Sequence, residues 1–194
     1  PSELRELRLH SGTVWPWNRA VYDPADGGHL RIELRALPAG PTVKDMLANA
    51  AMLIGLTAAF AARMPEWVNR LPFETLASNF YAAAQRGIEA QLYWPDAQGY
   101  AGLKPHKVAD LAASLLDEAR AGLNLLNVDQ AEIEASLAPM RARIEKRQNG
   151  ASWMLKRHEQ LSKLMPPEAA LRTLVIEYQQ HSDAGLCVAD WPLQ

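Results

Sequence analysis

Glu33 and Arg35 stand two residues apart in the segment Arg31-Ile-Glu33-Leu-Arg35. On a β-strand, whose side chains alternate between faces, that spacing puts a carboxylate and a guanidinium on one side with their bases ~7 Å apart. A carboxylate offers hard oxygen ligands to a divalent cation, and a guanidinium forks onto phosphate oxygens through parallel N–H donors. Such a pair can hold a metal-nucleotide. The same pattern also describes the solvated face of an ordinary antiparallel sheet, and spacing alone leaves both readings open. Upstream, Trp15-Pro-Trp17-Asn18-Arg19 gathers two indoles, an amide and a cation. On a regular strand Trp15, Trp17 and Arg19 share a face, which suits an aromatic wall beside an anion-binding arginine. The competing arrangement packs both indoles on helices with Arg19 lying over a ring.

Two further groupings carry chemistry of a weaker kind. Asn79 and Arg86, seven residues apart in Asn-Phe-Tyr-Ala-Ala-Ala-Gln-Arg-Gly87, fall on one helical face and can present an amide and a cation to a ligand. Gly87 equally makes Arg86 a last-turn cation opposite the helix dipole. Arg141, Arg143, Lys146, Arg147, Lys156, Arg157 and His158 form a basic region around Asn149-Gly150-Ala151. With Glu145 and Glu159 interleaved it reads as a solvated surface, while the helix start after Gly150 offers backbone N–H groups to a phosphate. The five histidines show no i, i+4 pair, so zinc has no ligand spacing. P-loop, dinucleotide-binding and hydrolase-elbow motifs are absent. Cys187, the single cysteine, reads as a buried inert thiol and fits a reducing compartment.

These residues must be positioned by elements that the periodicity foretells. Residues 12–37 read as an antiparallel β-hairpin: Leu30, Ile32, Leu34 and Ala36 alternate with Arg31, Glu33 and Arg35 after the turn Asp23-Pro-Ala-Asp-Gly-Gly28. From Pro38 the period becomes helical, and residues 42–184 read as a helical region. Thr42 caps a helix reaching about Met64, with Asp45 completing a capping-box-like start. Helices are expected near Glu74–Gly87, Val108–Leu126, Gln130–Arg147, Ala151–Met165 and Glu168–His181, and Ile88–Trp94 reads as a short strand or extended arm. The uncharged run from Met46 to Ala62 falls short of the ~20 residues that cross a bilayer. It contains Asn49 and Thr57, so a central helix buried on almost every side is expected. The fold class is α+β, a small antiparallel sheet packed with a predominantly helical bundle in one domain over 1–194.

Composition bounds the function. The 194 residues are 48% hydrophobic and 22% charged, values of an ordinary globular chain rather than a disordered one. A net charge of -2 offers no bulk attraction to nucleic acid or an anionic membrane surface, so neither is expected as a partner. Pro1 to His10 alternates charges with leucines instead of building a secretory or transit signal, and a cytoplasmic location is expected.

Val14-Trp-Pro-Trp-Asn-Arg-Ala-Val-Tyr-Asp23, His29-Leu-Arg-Ile-Glu-Leu-Arg35, Pro41-Thr-Val-Lys-Asp45 and Asn79-Phe-Tyr-Ala-Ala-Ala-Gln-Arg-Gly87 resemble, in that order, the carboxyl-terminal half of the type 2 glutamate-cysteine ligase family. Arg143 to Trp153, with Asn149-Gly150-Ala151, is similar to that family's late Gly-Ala motif. The resemblance implies a portion of a glutamine-synthetase-like fold and ATP-dependent carboxylate-amine ligation through an acyl phosphate, with Mg²⁺ or Mn²⁺. It implies Glu33 as a metal ligand, and Arg35 and Arg19 as catalytic contacts to phosphate or to the acyl phosphate. Asn18, Trp17, Asn79 and Arg86 follow as substrate- or nucleotide-binding candidates.

A full member carries an earlier strand set with further metal-binding carboxylates. The expectation is therefore of a carboxyl-terminal portion, inactive alone, whose partners are a small carboxylate, a small amine, the amino-terminal half of the same protein and, in some assemblies, a second copy of the chain. The alternative is a non-catalytic helical binding or assembly module. The two differ in whether Glu33, Arg35 and Arg19 converge.

Overall fold

The computed structural model describes residues 18–35, 37, 39–95 and 102–193. The chain is α+β, with two small antiparallel sheets and a majority of helix. Its described residues fall into two compact units that divide between Ala39 and Gly40.

The first unit is the hairpin. Strand β1 (Arg19–Asp23) pairs antiparallel with β2 (His29–Glu33), and the register sets Arg19 opposite Glu33, Val21 opposite Arg31 and Tyr22 opposite Leu30. The connection runs through a 3-10 turn at Ala25–Gly27, where Asp26, Gly27 and Gly28 all take positive φ (52°, 89° and 87°). Glycine adopts that region at no steric cost and aspartate tolerates it, which is why Asp-Gly-Gly closes this hairpin. Strand β2 ends at Glu33, short of the expected Leu37. The apolar face of the hairpin is open: Leu30 is 77% and Ile32 64% exposed, and Tyr22 is exposed beside them. The expected strand residues 12–17 and Ala36 lie outside the described residues.

The second unit is helical. Helix α1 (Val43–Ala61) packs on α4 (Val108–Leu125) and α5 (Gln130–Lys146), and α4 also packs on α5. Leu116, Leu123, Ile133 and Leu137 fill the space between them, joined by Ala51, Met52 and Met140. Helix α6 (Gly150–Ser162) pairs with α7 (Pro167–Asp183) over a second cluster of Trp153, Leu161, Leu174, Val188 and Trp191. Both indole N–H groups there are satisfied, Trp153 Nε1 donating to the Pro192 carbonyl and Trp191 Nε1 to that of Leu186, each at 3.0 Å. Buried donors of this kind are costly when unpaired.

Three expectations are corrected. The first helix stops at Ala61, and Arg63 N–H turns back to the Phe60 carbonyl before a short helix α2 (Met64–Val68) with Pro65 in its first turn. Nor is α1 buried all round. Asp45, Ala48 and Gly55 are buried, whereas Val43, Met46, Leu47 and Ile54 are exposed. By length and composition alone the helix could cross a membrane. Third, the segment after α3 (Phe73–Arg86) is a short strand, β3 (Gln91–Pro95), one of the two expected alternatives, but it pairs with an unforeseen β4 (Leu103–Lys107). The run Leu-Lys-Pro-His-Lys neither alternates nor lacks proline, so it carries no strand signature. It is tolerated because Pro105, which has no N–H to give, lies opposite Tyr93, whose own backbone groups bond elsewhere.

The α1–α4 crossing is set by two glycines. A Cβ on Gly122 would stand 1.8 Å from the Gly55 carbonyl oxygen, and one on Gly55 would stand 2.2 Å from that of Ala119. Backbone atoms cannot yield that much. Gly122→Ala should therefore destabilise the chain by about 1–3 kcal/mol in urea unfolding, although alanine is the better helix former. A neutral or stabilising outcome would mean the two helices are not in backbone contact.

Candidate functional site

The hairpin brings Glu33 and Arg35 together. Arg35 Nε lies 3.2 Å from Glu33 Oε1, with both side chains partly screened from water. The Arg35 backbone N–H donates to Asn18 Oδ1 at 3.4 Å, which ties the residues after β2 to the one before β1. The register sets Arg19 opposite Glu33 on the neighbouring strand. On the same run of β2, Arg31 Nη1 lies 3.5 Å from His29 Nε2. Trp17 lies outside the described residues. The expected carboxylate–guanidinium pair is thus present as an ion pair between the last residue of β2 and the segment that follows it. A divalent cation would find one carboxylate there, against the six or more oxygens it takes. Among the described residues no three His, Cys, Asp or Glu side chains gather where they could hold a metal ion. This set is not by itself a cation site.

Asn79 and Arg86 stand in different surroundings, one buried and one exposed. Asn79 is buried, and its amide is used on β3: Oδ1 accepts from Tyr93 N–H and Nδ2 donates to the Tyr93 carbonyl, both at 2.8 Å. An amide in that position mimics a neighbouring strand and satisfies the outer edge of the sheet, a structural role. Arg86 is exposed at the carboxyl end of α3, where a cation faces the negative end of the helix dipole.

Asp45, whose position in the sequence suggests only a helix cap, gathers four side-chain and backbone partners in the helical unit. Asp45 is fully buried at the start of α1. Its Oδ2 accepts from the Thr42 hydroxyl at 2.8 Å and from the Val188 N–H at 3.1 Å, and its Oδ1 accepts from the Cys187 thiol at 3.4 Å. Arg143 Nε lies 3.5 Å from Oδ1 and also donates to the Pro139 carbonyl at 3.3 Å. Burial lowers the Arg143 guanidinium from its ordinary value, and Asp45 works against that shift. Asp45 thereby joins the cap of α1, the last turn of α5 and the carboxyl-terminal segment. Thr42, Arg143 and Cys187 were each visible in sequence, but nothing local links residues more than ninety positions apart.

The basic region resolves into separate ion pairs. Arg147 meets Glu89 at 3.1 Å, Arg157 takes Glu177 through two hydrogen bonds at 2.6 and 2.7 Å, and Arg141 reaches Glu134 at 3.6 Å. Lys146 donates to Asp190. Hydrogen bonds from Arg157 hold the Glu177 carboxyl below the usual range. The helix start after Gly150 is capped from within, because Asn149 Oδ1 accepts from Ser152 N–H and the Ser152 hydroxyl accepts from Asn149 N–H, each at 2.9 Å. That reciprocal box uses donors a phosphate would need.

Among the cavities that open on the helical unit, two are the most extensive of those lined by described residues. The larger, about 420 Å³, is walled by Phe60, Trp67 and Trp94 with Arg63, His106 and Glu118. Trp67 stands 5.0 Å from Phe60 and 5.4 Å from Trp94 between ring centres, and Arg63 bonds Glu118 at 3.0 Å. The smaller, about 250 Å³, is lined by Ala83, Ile88, Val108, Met140, Arg143 and Arg147 among others. No protein-family profile, curated protein or solved structure matches the chain.

Cys187 behaves as the sequence suggests, a buried thiol. Its pKa is raised, first by burial and also by the adjacent Asp45 carboxylate. A raised value leaves less thiolate at pH 8, and the thiolate is the nucleophile. Modification of Cys187 by a disulfide reagent at pH 8 should therefore be far slower than that of a free thiol and should reach the free-thiol rate only in denaturing urea. Fast labelling of the folded chain would contradict the burial of the Asp45 cluster.

Proposed function

We propose that this chain is the carboxyl-terminal portion of an ATP-dependent carboxylate-amine ligase resembling the type 2 glutamate-cysteine ligases. The observation that carries the reading is the Glu33–Arg35 ion pair at 3.2 Å where β2 ends, with Arg19 across from Glu33 in the register. A carboxylate paired with a guanidinium is an arrangement that phosphoryl chemistry uses to order anionic oxygens beside a cation. The reading also accounts for the hairpin's exposed apolar face, Tyr22, Leu30 and Ile32, as surface that a larger sheet covers.

In this proposal Glu33 contributes one carboxylate ligand, and the remaining ligands come from outside the described residues. Arg35, and Arg19 with it, contact phosphate or acyl-phosphate oxygens. Asn18 holds Arg35's backbone in place, Trp17 stands next to it in sequence, and the amide of Asn79 is already taken by the backbone of Tyr93. ATP bound with Mg²⁺ or Mn²⁺ would supply the activated phosphoryl group, the small carboxylate would be its acceptor, and a small amine would take the acyl group. A non-catalytic assembly module is the competing reading, and it assigns the strand pair no chemistry.

The experiment is phosphate release by the full-length protein with ATP, Mg²⁺, a panel of amino-acid carboxylates and amines. Glu33→Gln and Arg35→Ala should each lower turnover by about 100-fold or more while leaving the circular dichroism spectrum unchanged. The isolated 194-residue chain should release none. Full turnover in both variants, or none in the wild-type protein with any acid and amine, would contradict the assignment.

A further inference from the structure

We infer that the larger cavity of the helical unit binds a free amino acid with an aromatic side chain, its carboxylate on Arg63, its ammonium on Asp110 and its ring against Phe60, Trp67 and Trp94. Sequence spacing builds two of the walls. Asp110, Ser114 and Glu118 lie four residues apart along α4 and so form one row on that helix, while Arg63 and Trp67 are four apart around α2. All five line the cavity, together with Phe60 from α1 and Trp94 from β3. Its volume, about 420 Å³, falls within the roughly 300–1,000 Å³ of small-molecule sites.

The charged ends of the arginines, and not only their stems, stand at this wall. The Arg63 guanidinium carbon is 5.1 Å from the centre of the Phe60 ring and 5.8 Å from that of Trp67, and the Arg70 carbon is 5.7 Å from Trp67. Arg63 meets Glu118 through Nη1 alone. Among the described residues nothing accepts from its Nε and Nη2, the edge that matches a carboxylate in shape. The Arg63 side chain is 44% exposed and that of Glu118 37%, so an incoming group reaches both. Asp110 is exposed as well, and among the described residues its carboxylate has no ion pair or hydrogen bond.

Charge and surface select the ligand. Arg63 and Arg70 balance Asp110 and Glu118, so the lining carries no net charge apart from the His106 imidazole. A phosphate ester would bring two negative charges beside two carboxylates, and an organic cation would find the Trp67 ring already taken by two guanidinium groups. An uncharged apolar ligand would strip water from four charges and return nothing to them. A zwitterion supplies one charge of each sign, and an aromatic ring continues the edge-on and tilted contacts that Phe60, Trp67 and Trp94 already make. The site uses no residue of the Glu33–Arg35 strand pair and stands apart from the ligase proposal.

The test is a nuclear magnetic resonance titration of the 194-residue chain with L-phenylalanine, following the indole N–H signals. Those of Trp67 and Trp94 should shift saturably with a dissociation constant of ~1 mM, while those of Trp153 and Trp191, bonded to backbone carbonyls in the second apolar cluster, should not move. 3-Phenylpropanoate, phenethylamine and glycine, which lack the ammonium, the carboxylate and the ring in turn, should each bind at least about tenfold more weakly. Asp110→Asn should lower the affinity for L-phenylalanine about fivefold or more, and Ser114→Phe, which sends a ring into the cavity from an exposed position of α4, should abolish binding. The inference is overturned by an absence of saturable shifts at Trp67 and Trp94, by equal shifts at Trp153 and Trp191, by equal binding of any of the three partial ligands, or by unchanged affinity in Asp110→Asn.

Discussion

One buried carboxylate organises the helical unit. Asp45 sits at the first turn of α1 with no exposure to solvent, and a charge in that position is tolerated only when several donors surround it. The hydroxyl of Thr42, the N–H of Val188, the thiol of Cys187 and the guanidinium of Arg143 do so, and they come from three distant stretches of chain. Each donor fixes something else. Thr42 caps α1, Arg143 is braced on the carbonyl of Pro139, and Val188 opens the 3-10 turn that carries Trp191 into the second apolar cluster. Gln148 reinforces that turn, its amide donating to the Val188 and Trp191 carbonyls at 2.8 and 2.9 Å. Removing one partner of such a cluster costs about 3–5 kcal/mol, a large share of the stability of a single domain.

A guanidinium has five N–H donors, and Asp45 engages only the Nε edge of Arg143. The Nη2 of the same group is buried without a hydrogen-bond partner, a cost that the contact to Asp45 helps to offset. By contrast, the Glu33–Arg35 pair on the hairpin is partly hydrated and local, and its significance rests on chemistry rather than on stability.

What the sequence revealed and what it concealed follow from range. Helices with strong caps were legible almost to the residue: Asp129 accepts from the Ala131 and Glu132 N–H groups ahead of α5, and Asn149 closes the box before α6. The hairpin was legible from alternation and from Asp-Gly-Gly, because period two is a property of the strand alone, whereas the Glu33–Arg35 contact forms past the last residue of β2. Partners at long separation were not. Thr42 and Asp45 read as a cap, yet the contacts of Asp45 to Arg143 and Cys187 depend on how the helices pack. Asn79 read as a ligand-facing amide because nothing in its helix announces the strand edge it completes. Strand β4 escaped notice since its strand character comes from pairing with β3, not from Leu-Lys-Pro-His-Lys itself. The partial exposure of α1 was hidden for a related reason, as a helix apolar on all sides does not say which sides are covered.

The most direct measurement is a double-mutant cycle on Asp45 and Arg143, with Asp45→Asn, Arg143→Gln and the double variant of the 194-residue chain unfolded in urea. If the carboxylate and the guanidinium hold the helical unit together, each single change is strongly destabilising. The double variant then falls short of their sum by about 0.5–3 kcal/mol, because the second substitution removes a partner that the first had already stranded. Strict additivity, or single variants as stable as the parent, would show that the two groups act independently and that the unit is held by its apolar clusters alone.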